Sequence, residues 1–137
     1  MVRKITIIIA VIAAASCLTG FRGKGAETYV ELAQMMIAKG RPDIALAYFN
    51  TAINLEPRNA DLYQSRGFFF LKQKQFPQAL ADLSTVIELN PAKTESYLSR
   101  GLVYSQLGQR ELARKDYADA CGMGDPSGCS FMKDEKD

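Results

Sequence analysis

Residues 60–93 read ADLYQSRGFFFLKQKQFPQALADLSTVIELNPAK, and residues 94–125 follow as TESYLSRGLVYSQLGQRELARKDYADACGMGD. Laid over each other they agree column by column: Tyr63 with Tyr97, Gly67 with Gly101, Ala79 with Ala113, Leu83 with Tyr117, Val86 with Ala120. Residues 26–59 supply the same columns once more as Tyr29, Ala33, Ala45, Phe49 and Ala52, so the chain repeats with a period of 34. Pro57 and Pro91 share a further column, which Asp125 holds in the third copy.

The columns have a helical logic. Tyr63, Gly67 and Phe70 stand at i, i+4 and i+7 and so share one face of a helix, as do Tyr97, Gly101 and Tyr104. A second helix in each copy carries Ala79, Leu83 and Val86 at the same kind of spacing. Glycine and alanine mark the place where two helices cross, because a larger side chain would hold the axes apart. Pro42 and Pro77 suit the first turn of a second helix, where a missing N–H costs nothing. Pro57 and Pro91 close those helices, since the residue before proline avoids the helical region. Gly108 marks the corresponding turn of the third copy. Helices are expected over 26–39, 42–55, 60–73, 77–89, 94–107 and 110–121.

A period of 34 with small residues at fixed places resembles the tetratricopeptide repeat (TPR). The resemblance covers residues 26–125 as three repeats, 26–59, 60–93 and 94–125. It implies an all-α fold: a short right-handed solenoid of helix–turn–helix repeats, with a short capping helix after it.

The residues before the repeats have another character. Arg3 and Lys4 precede an apolar run from Ile5 to Ala15, interrupted only by Thr6. Eleven residues fall short of the about 20 that a membrane-spanning helix needs. A basic start, a short apolar stretch and then small residues is the layout of a secretory signal peptide, here residues 1–16. The small residues end at Cys17, and Ala14-Ala15-Ser16-Cys17 resembles the lipobox of bacterial lipoproteins. That resemblance implies diacylation (palmitate-type chains) on Cys17, which becomes the new N-terminus. With Leu18 next, it implies sorting to the outer membrane, facing the periplasm. The place three before the cysteine is Ala14, where the family usually has Leu. Cleavage after Ala15, releasing a soluble periplasmic or secreted protein, is the alternative. Residues 17–25 then read as a glycine-rich tether.

Near the other end, Cys121 and Cys129 bracket Gly-Met-Gly-Asp-Pro-Ser-Gly. In an exported chain disulfides persist, and this pair is close enough to meet across a helix–turn–helix corner; the other reading is two free buried thiols. Ala120-Cys121, Gly124-Asp125 and Gly128-Cys129 together resemble the cysteine-bridged corner of Sel1-like repeats. By that resemblance Cys121 pairs with Cys129, and Pro126 to about Lys133 begins an incomplete fourth repeat within residues 126–137. Lys133 to Asp137 read as a solvated end.

Composition narrows the chemistry. The 137 residues contain no histidine, which excludes Ser-His and Cys-His nucleophiles and His-ligated metals. A formal net charge of +2 offers no field for nucleic acid. Losing Arg3 and Lys4 with the leader leaves 15 basic and 15 acidic residues. Ser130-Phe131-Met132-Lys133 spells S-x-x-K, the nucleophile motif of penicillin-interacting enzymes, but no S-D-N or K-T-G partner accompanies it. A cell-wall hydrolase using Ser130 is therefore the weakest reading. Glu27/Glu31 and Asp116/Asp119 read as solvated helix faces, and Glu111 with Lys115 as an i,i+4 surface pair. No catalytic residue, metal site, cofactor or small-molecule substrate is expected.

What remains is binding. The tetratricopeptide resemblance implies that the first helix of each repeat lines a groove that takes a peptide or helix of a partner protein. Its groove places fall on Val30, Gln34 and Ile37, on Gln64, Phe68 and Leu71, and on Leu98, Leu102 and Ser105. In Phe68-Phe69-Phe70, Phe70 takes the core place and Phe69 leans toward a neighbouring repeat, leaving Phe68 as the groove anchor. The carboxylate clamp of chaperone-tail receptors is missing, since its places hold Val30, Gln34, Glu95 and Ser99. The expected function is a non-enzymatic adaptor or assembly factor of the cell envelope; the alternative is a soluble Sel1-like effector or envelope-stress protein.

Overall fold

The 34-residue spacing is realised as pairs of helices joined by three-residue corners of one design. In the computed structural model, which describes residues 25–134, the helices are Gly25–Ala38 (α1), Pro42–Leu55 (α2), Ala60–Lys72 (α3), Phe76–Leu89 (α4), Thr94–Gln106 (α5), Arg110–Gly122 (α6) and Pro126–Asp134 (α7). No strand occurs among the described residues. Every helix lies within one residue of its expected bounds. Cys17 and the expected signal peptide, residues 1–16, lie outside the described residues.

The corners explain where the helices stop. After α1, Gly40 enters the left-handed region at φ +68°; Gly108 does so after α5 at +71°, and Gly124 after α6 at +93°. The corner after α3 uses Lys74 at φ +57° instead. In each, two N–H groups turn back onto the last turn of the helix. Lys74 N–H donates to Leu71 O at 3.0 Å and Gln75 N–H to Phe70 O at 2.9 Å, while Gly108 and Gln109 repeat this on Ser105 O and Tyr104 O, each at 2.9 Å. This six-to-one closure satisfies carbonyls that the helix end would orphan. At helix starts, Asn59 Oδ1 accepts from Asp61 N–H at 3.1 Å, and Asp125, standing where the other repeats have proline, caps α7 by accepting from Ser127 N–H at 2.9 Å.

The chain divides into two compact units, Met1–Leu55 and Glu56–Asp137. In the first, α1 packs on α2, with Ala33, Ala45, Phe49 and Ala52 buried between them and the Tyr29 and Tyr48 rings 6.0 Å apart. In the second, α3 packs on α4, α4 on α5, α5 on α6 and α6 on α7. Leu83, Val86 and Val103 are fully enclosed there, and each such side chain contributes roughly 1.5–3 kcal/mol on burial.

The small-residue column does what its position implies, but not to the same degree in each copy. A Cβ on Gly67 would stand 3.3 Å from Asp82 Cβ and 3.4 Å from Leu83 Cγ, whereas one on Gly101 would stand 2.6 Å from Tyr117 Cε1. The bulk facing the column sets the difference: Leu83 in one repeat, Tyr117 in the next. A further close approach holds α7, where a Cβ on Gly128 would meet Tyr117 O at 2.6 Å and Cys121 N at 2.7 Å.

Candidate functional site

The candidate face is built on the first helices of the second unit, α3 and α5. Asp61, Gln64, Phe68 and Leu71 are spaced by three, four and three residues, so they form one stripe along α3. Glu95, Leu98, Leu102 and Ser105 form the same stripe along α5. Two contacts set the stripes side by side: Gln64 Nε2 donates to Glu95 Oε2 at 2.7 Å, and Lys93 Nζ pairs with Asp61 Oδ1.

Burial grades these residues. Leu102 is 46% exposed, although it is a large aliphatic side chain. Phe68, Leu71, Leu98 and Ser105 are half-buried. Gln64 is only 7% exposed and its amide is committed to Glu95, so it joins the two helices rather than facing outward. Phe69 and Phe70 are buried, with rings 5.6 Å apart. In the first unit Val30, Gln34 and Ile37 share a face of α1, where Val30 is half-buried, Gln34 exposed and Ile37 37% exposed. Of the clamp places, Ser99 donates its hydroxyl to Glu95 O at 2.8 Å within its own helix.

Away from this face run two buried ion pairs that the sequence reading missed. Arg66 Nε and Nη2 donate to the two carboxylate oxygens of Asp82 at 2.8 and 2.7 Å. Arg100 does the same to Asp116 at 2.8 Å each. The carboxylates are 6% and 2% exposed. Asp116 is therefore no solvated surface acid; the correction follows from helix crossing, which turns it toward Arg100 while Asp119 stays exposed. Hydrogen bonding to the carboxylate holds each guanidinium above its ordinary pKa, against the opposing effect of partial burial. Stabilisation of a raised base is full below its unfolded-state pKa, so this contribution persists through the alkaline range.

Aromatic rings complete each pair. Arg66 lies 5.8 Å from the Tyr63 ring centre and 5.9 Å from that of Phe70, and Arg100 lies 5.9 Å from both Tyr97 and Tyr104. Arg100 Nη1 also reaches back to Ser84 Oγ on α4 at 3.1 Å. The detectable signal was the period itself: Arg66 and Arg100 are 34 apart, and so are Asp82 and Asp116. The first repeat has Leu32 and Tyr48 in those columns.

The remaining candidates divide clearly. Cys121 and Cys129 are bonded as a disulfide, with their Cα atoms 4.8 Å apart, and the Phe131 ring lies 5.4 Å from that of Tyr117. Ser130 and Lys133 are exposed on α7 with no hydrogen bond between them among the described residues. Glu111 and Lys115 form no ion pair there; with Arg114, Ala118 and Met132 they line an open cleft of about 280 Å³. Glu27 and Glu31 are exposed. Among the described residues no His, Cys, Asp and Glu groups are placed to hold a metal ion, and no helix is long and apolar enough to cross a membrane.

Paired helices at a 34-residue period, with small residues at each crossing, define a helical-repeat protein. Tetratricopeptide-repeat family models match residues 26–59 and 94–123, 48–81 and 69–108. Together these matches run from residue 26 to residue 123, and the chain belongs to the tetratricopeptide-repeat family. No curated protein matches it in sequence. Among solved structures it is similar to the first TPR of Spaghetti (RPAP3) bound to an HSP90 peptide, SRMEEVD, at 23% identity and a TM-score of 0.72 over 82% of this chain and 90% of that one. The N-terminal domain of stress-induced protein-1 from C. elegans matches at 14% identity and a TM-score of 0.75, over 82% and 94%. Pseudomonas aeruginosa pilF matches at 22% identity and a TM-score of 0.72, over 82% of this chain and 52% of that one. At these identities the likeness establishes a shared fold.

Proposed function

We propose that this protein is a non-enzymatic adaptor that holds a peptide or helix of a partner protein on the α3/α5 face. The observation that carries this reading is the half-exposed Leu102, set beside Phe68, Leu71 and Leu98 on adjoining stripes. Apolar side chains kept at a surface in this way cost solubility unless something covers them. The Spaghetti domain, solved with an HSP90 peptide, gives a precedent for peptide capture on this fold.

The adaptor works at the cell envelope, anchored through Cys17. Three features support that placement: the basic pair Arg3-Lys4, the apolar run ending in small residues at Cys17, and a disulfide between Cys121 and Cys129 of the kind that persists outside the reducing cytosol. Each buried CH₂ of an acyl chain adds about 0.8 kcal/mol, so two chains anchor firmly where one does not. The partners would then be envelope proteins.

Two measurements test the two halves. A photo-crosslinker placed beside Leu102 should trap a defined envelope protein, and Phe68→Ala with Leu102→Ala should abolish the adduct without loss of helicity. An unchanged adduct refutes the face. Cys17→Ser should abolish acyl labelling and release the protein from membranes. A wild-type protein that is already soluble and unlabelled refutes the anchor and leaves the soluble, Sel1-like alternative.

A further inference from the structure

The α3/α5 face is chemically lopsided, and the asymmetry specifies its occupant. At the first-turn end of the stripes stand two exposed carboxylates, Asp61 and Glu95. Beyond them come Phe68, Leu98 and Leu102, one to two helical turns further along the same faces. An acid in a first turn also complements the helix dipole. These two do more than that, because each lies on its helix's apolar stripe and is tied across to the neighbouring helix or the loop leading into it.

The cations on α3 and α5 nearest this end are already used, and Arg58 stands exposed in the loop leading into α3. Arg66 is enclosed by Asp82, Arg100 by Asp116, and Lys93 is paired with Asp61, whose side chain nevertheless stays 79% exposed. Lys72, the remaining cation on α3 and α5, lies eleven residues beyond Asp61, about 16 Å along the axis. The end of the face bearing Asp61 and Glu95 therefore presents exposed carboxylate oxygen with one partly matched positive charge.

We infer that the α3/α5 face selects a partner segment carrying a lysine or arginine next to a short run of apolar side chains, the cation seated at Asp61 and Glu95 and the apolar run along Phe68, Leu98 and Leu102. This rests on the adaptor reading above and gives it a ligand chemistry. It also makes an acidic segment a poor occupant: its carboxylates would meet Asp61 and Glu95, with no unpaired cation on α3 or α5 within a turn of them.

The test uses two fluorescein-labelled twelve-residue peptides, one of leucine, alanine and lysine, the other with each lysine replaced by glutamate. Binding to the protein is followed by anisotropy. The lysine peptide should bind about tenfold more tightly at low salt, and 0.5 M salt should shrink the difference. Asp61→Asn with Glu95→Gln should erase the preference; a glutamine at 95 still offers an oxygen to the Gln64 amide, so the helix junction is kept. Leu102→Ala should weaken both peptides. Equal or tighter binding of the glutamate peptide, still sensitive to Leu102→Ala, overturns the charge selection and leaves the adaptor reading standing. Binding of neither peptide, or binding indifferent to Leu102→Ala and Phe68→Ala, removes the face itself. Concentration-dependent dimerisation lost in Leu102→Ala would assign the face to a second copy and overturn the inference as well.

Discussion

The difference between Gly67 and Gly101 gives a quantitative test of how the repeats pack. Both glycines occupy the interior of a helix, where alanine is favoured by roughly 0.5–1 kcal/mol on conformational grounds. At Gly67 the added methyl would sit 3.3 Å from Asp82 Cβ and 3.4 Å from Leu83 Cγ, a crowding that a shift of a few tenths of an ångström relieves. At Gly101 it would penetrate the Tyr117 ring at 2.6 and 2.8 Å. That ring is 3% exposed and lies against Phe131, so it has little room to turn. Overpacking of this kind costs about 1–3 kcal/mol. Gly67→Ala should then fall within about 0.5 kcal/mol of the parent, and Gly101→Ala should destabilise by about 1–2 kcal/mol. Urea titration followed by circular dichroism measures both, with a thermal midpoint falling roughly 4–8 °C per kcal/mol for a domain near this size.

The assignment of cause is sharpened by Tyr117→Leu, which rebuilds in the third repeat the glycine–leucine crossing of the second. Alone it should destabilise by emptying space beneath Phe131. Combined with Gly101→Ala it should show a favourable coupling of about 1 kcal/mol or more in a double-mutant cycle. If Gly101→Ala is as stable as the parent, or if the two changes add without coupling, the crossing does not work as described.

Three further outcomes follow. Asp116→Ala should cost about 3 kcal/mol in urea, because it strands a largely buried guanidinium, while Arg100→Leu with Asp116→Tyr, the pair of the first repeat, should recover much of that loss. Reducing the Cys121–Cys129 bond should lower stability by roughly 2–3 kcal/mol and speed hydrogen exchange in α7, whose single buried residue among those described is Gly128; unchanged exchange would show that Gly128 and Phe131 hold the helix by themselves. Lys74→Gly should raise the thermal midpoint, since a left-handed conformation costs a side-chain-bearing residue about 1 kcal/mol.

The helices were legible because their signals are local. Pro42, Pro77, Gly108 and the alanine column each act on the turn in which they sit, and so the bounds came within a residue. The face was legible one helix at a time, as the stripes Gln64-Phe68-Leu71 and Leu98-Leu102-Ser105. What linked them was not: Gln64 looked like a groove amide and proved to be a buried tie to Glu95. The Arg66–Asp82 and Arg100–Asp116 pairs stayed hidden because partners sixteen residues apart meet only once the crossing of two helices is known. Charge on a helix reads as surface until then. Lys74 escaped for a different reason, since the corner geometry is set by the hydrogen bonds closing α3, and these hold lysine where the other corners have glycine.

Arg100 has one consequence beyond its own repeat. A single guanidinium takes the carboxylate of α6 and the hydroxyl of Ser84 on α4. Opening the third repeat therefore also strips a partner from the second, and loosening α4 disturbs the group on which α6 is anchored. Because one group on α5 is shared with the helix on each side of it, independent openings of these helices become a joint one. The segment from α4 to α6 should breathe as one cooperative unit, which keeps α5, and the candidate face it carries, intact until the whole segment gives way.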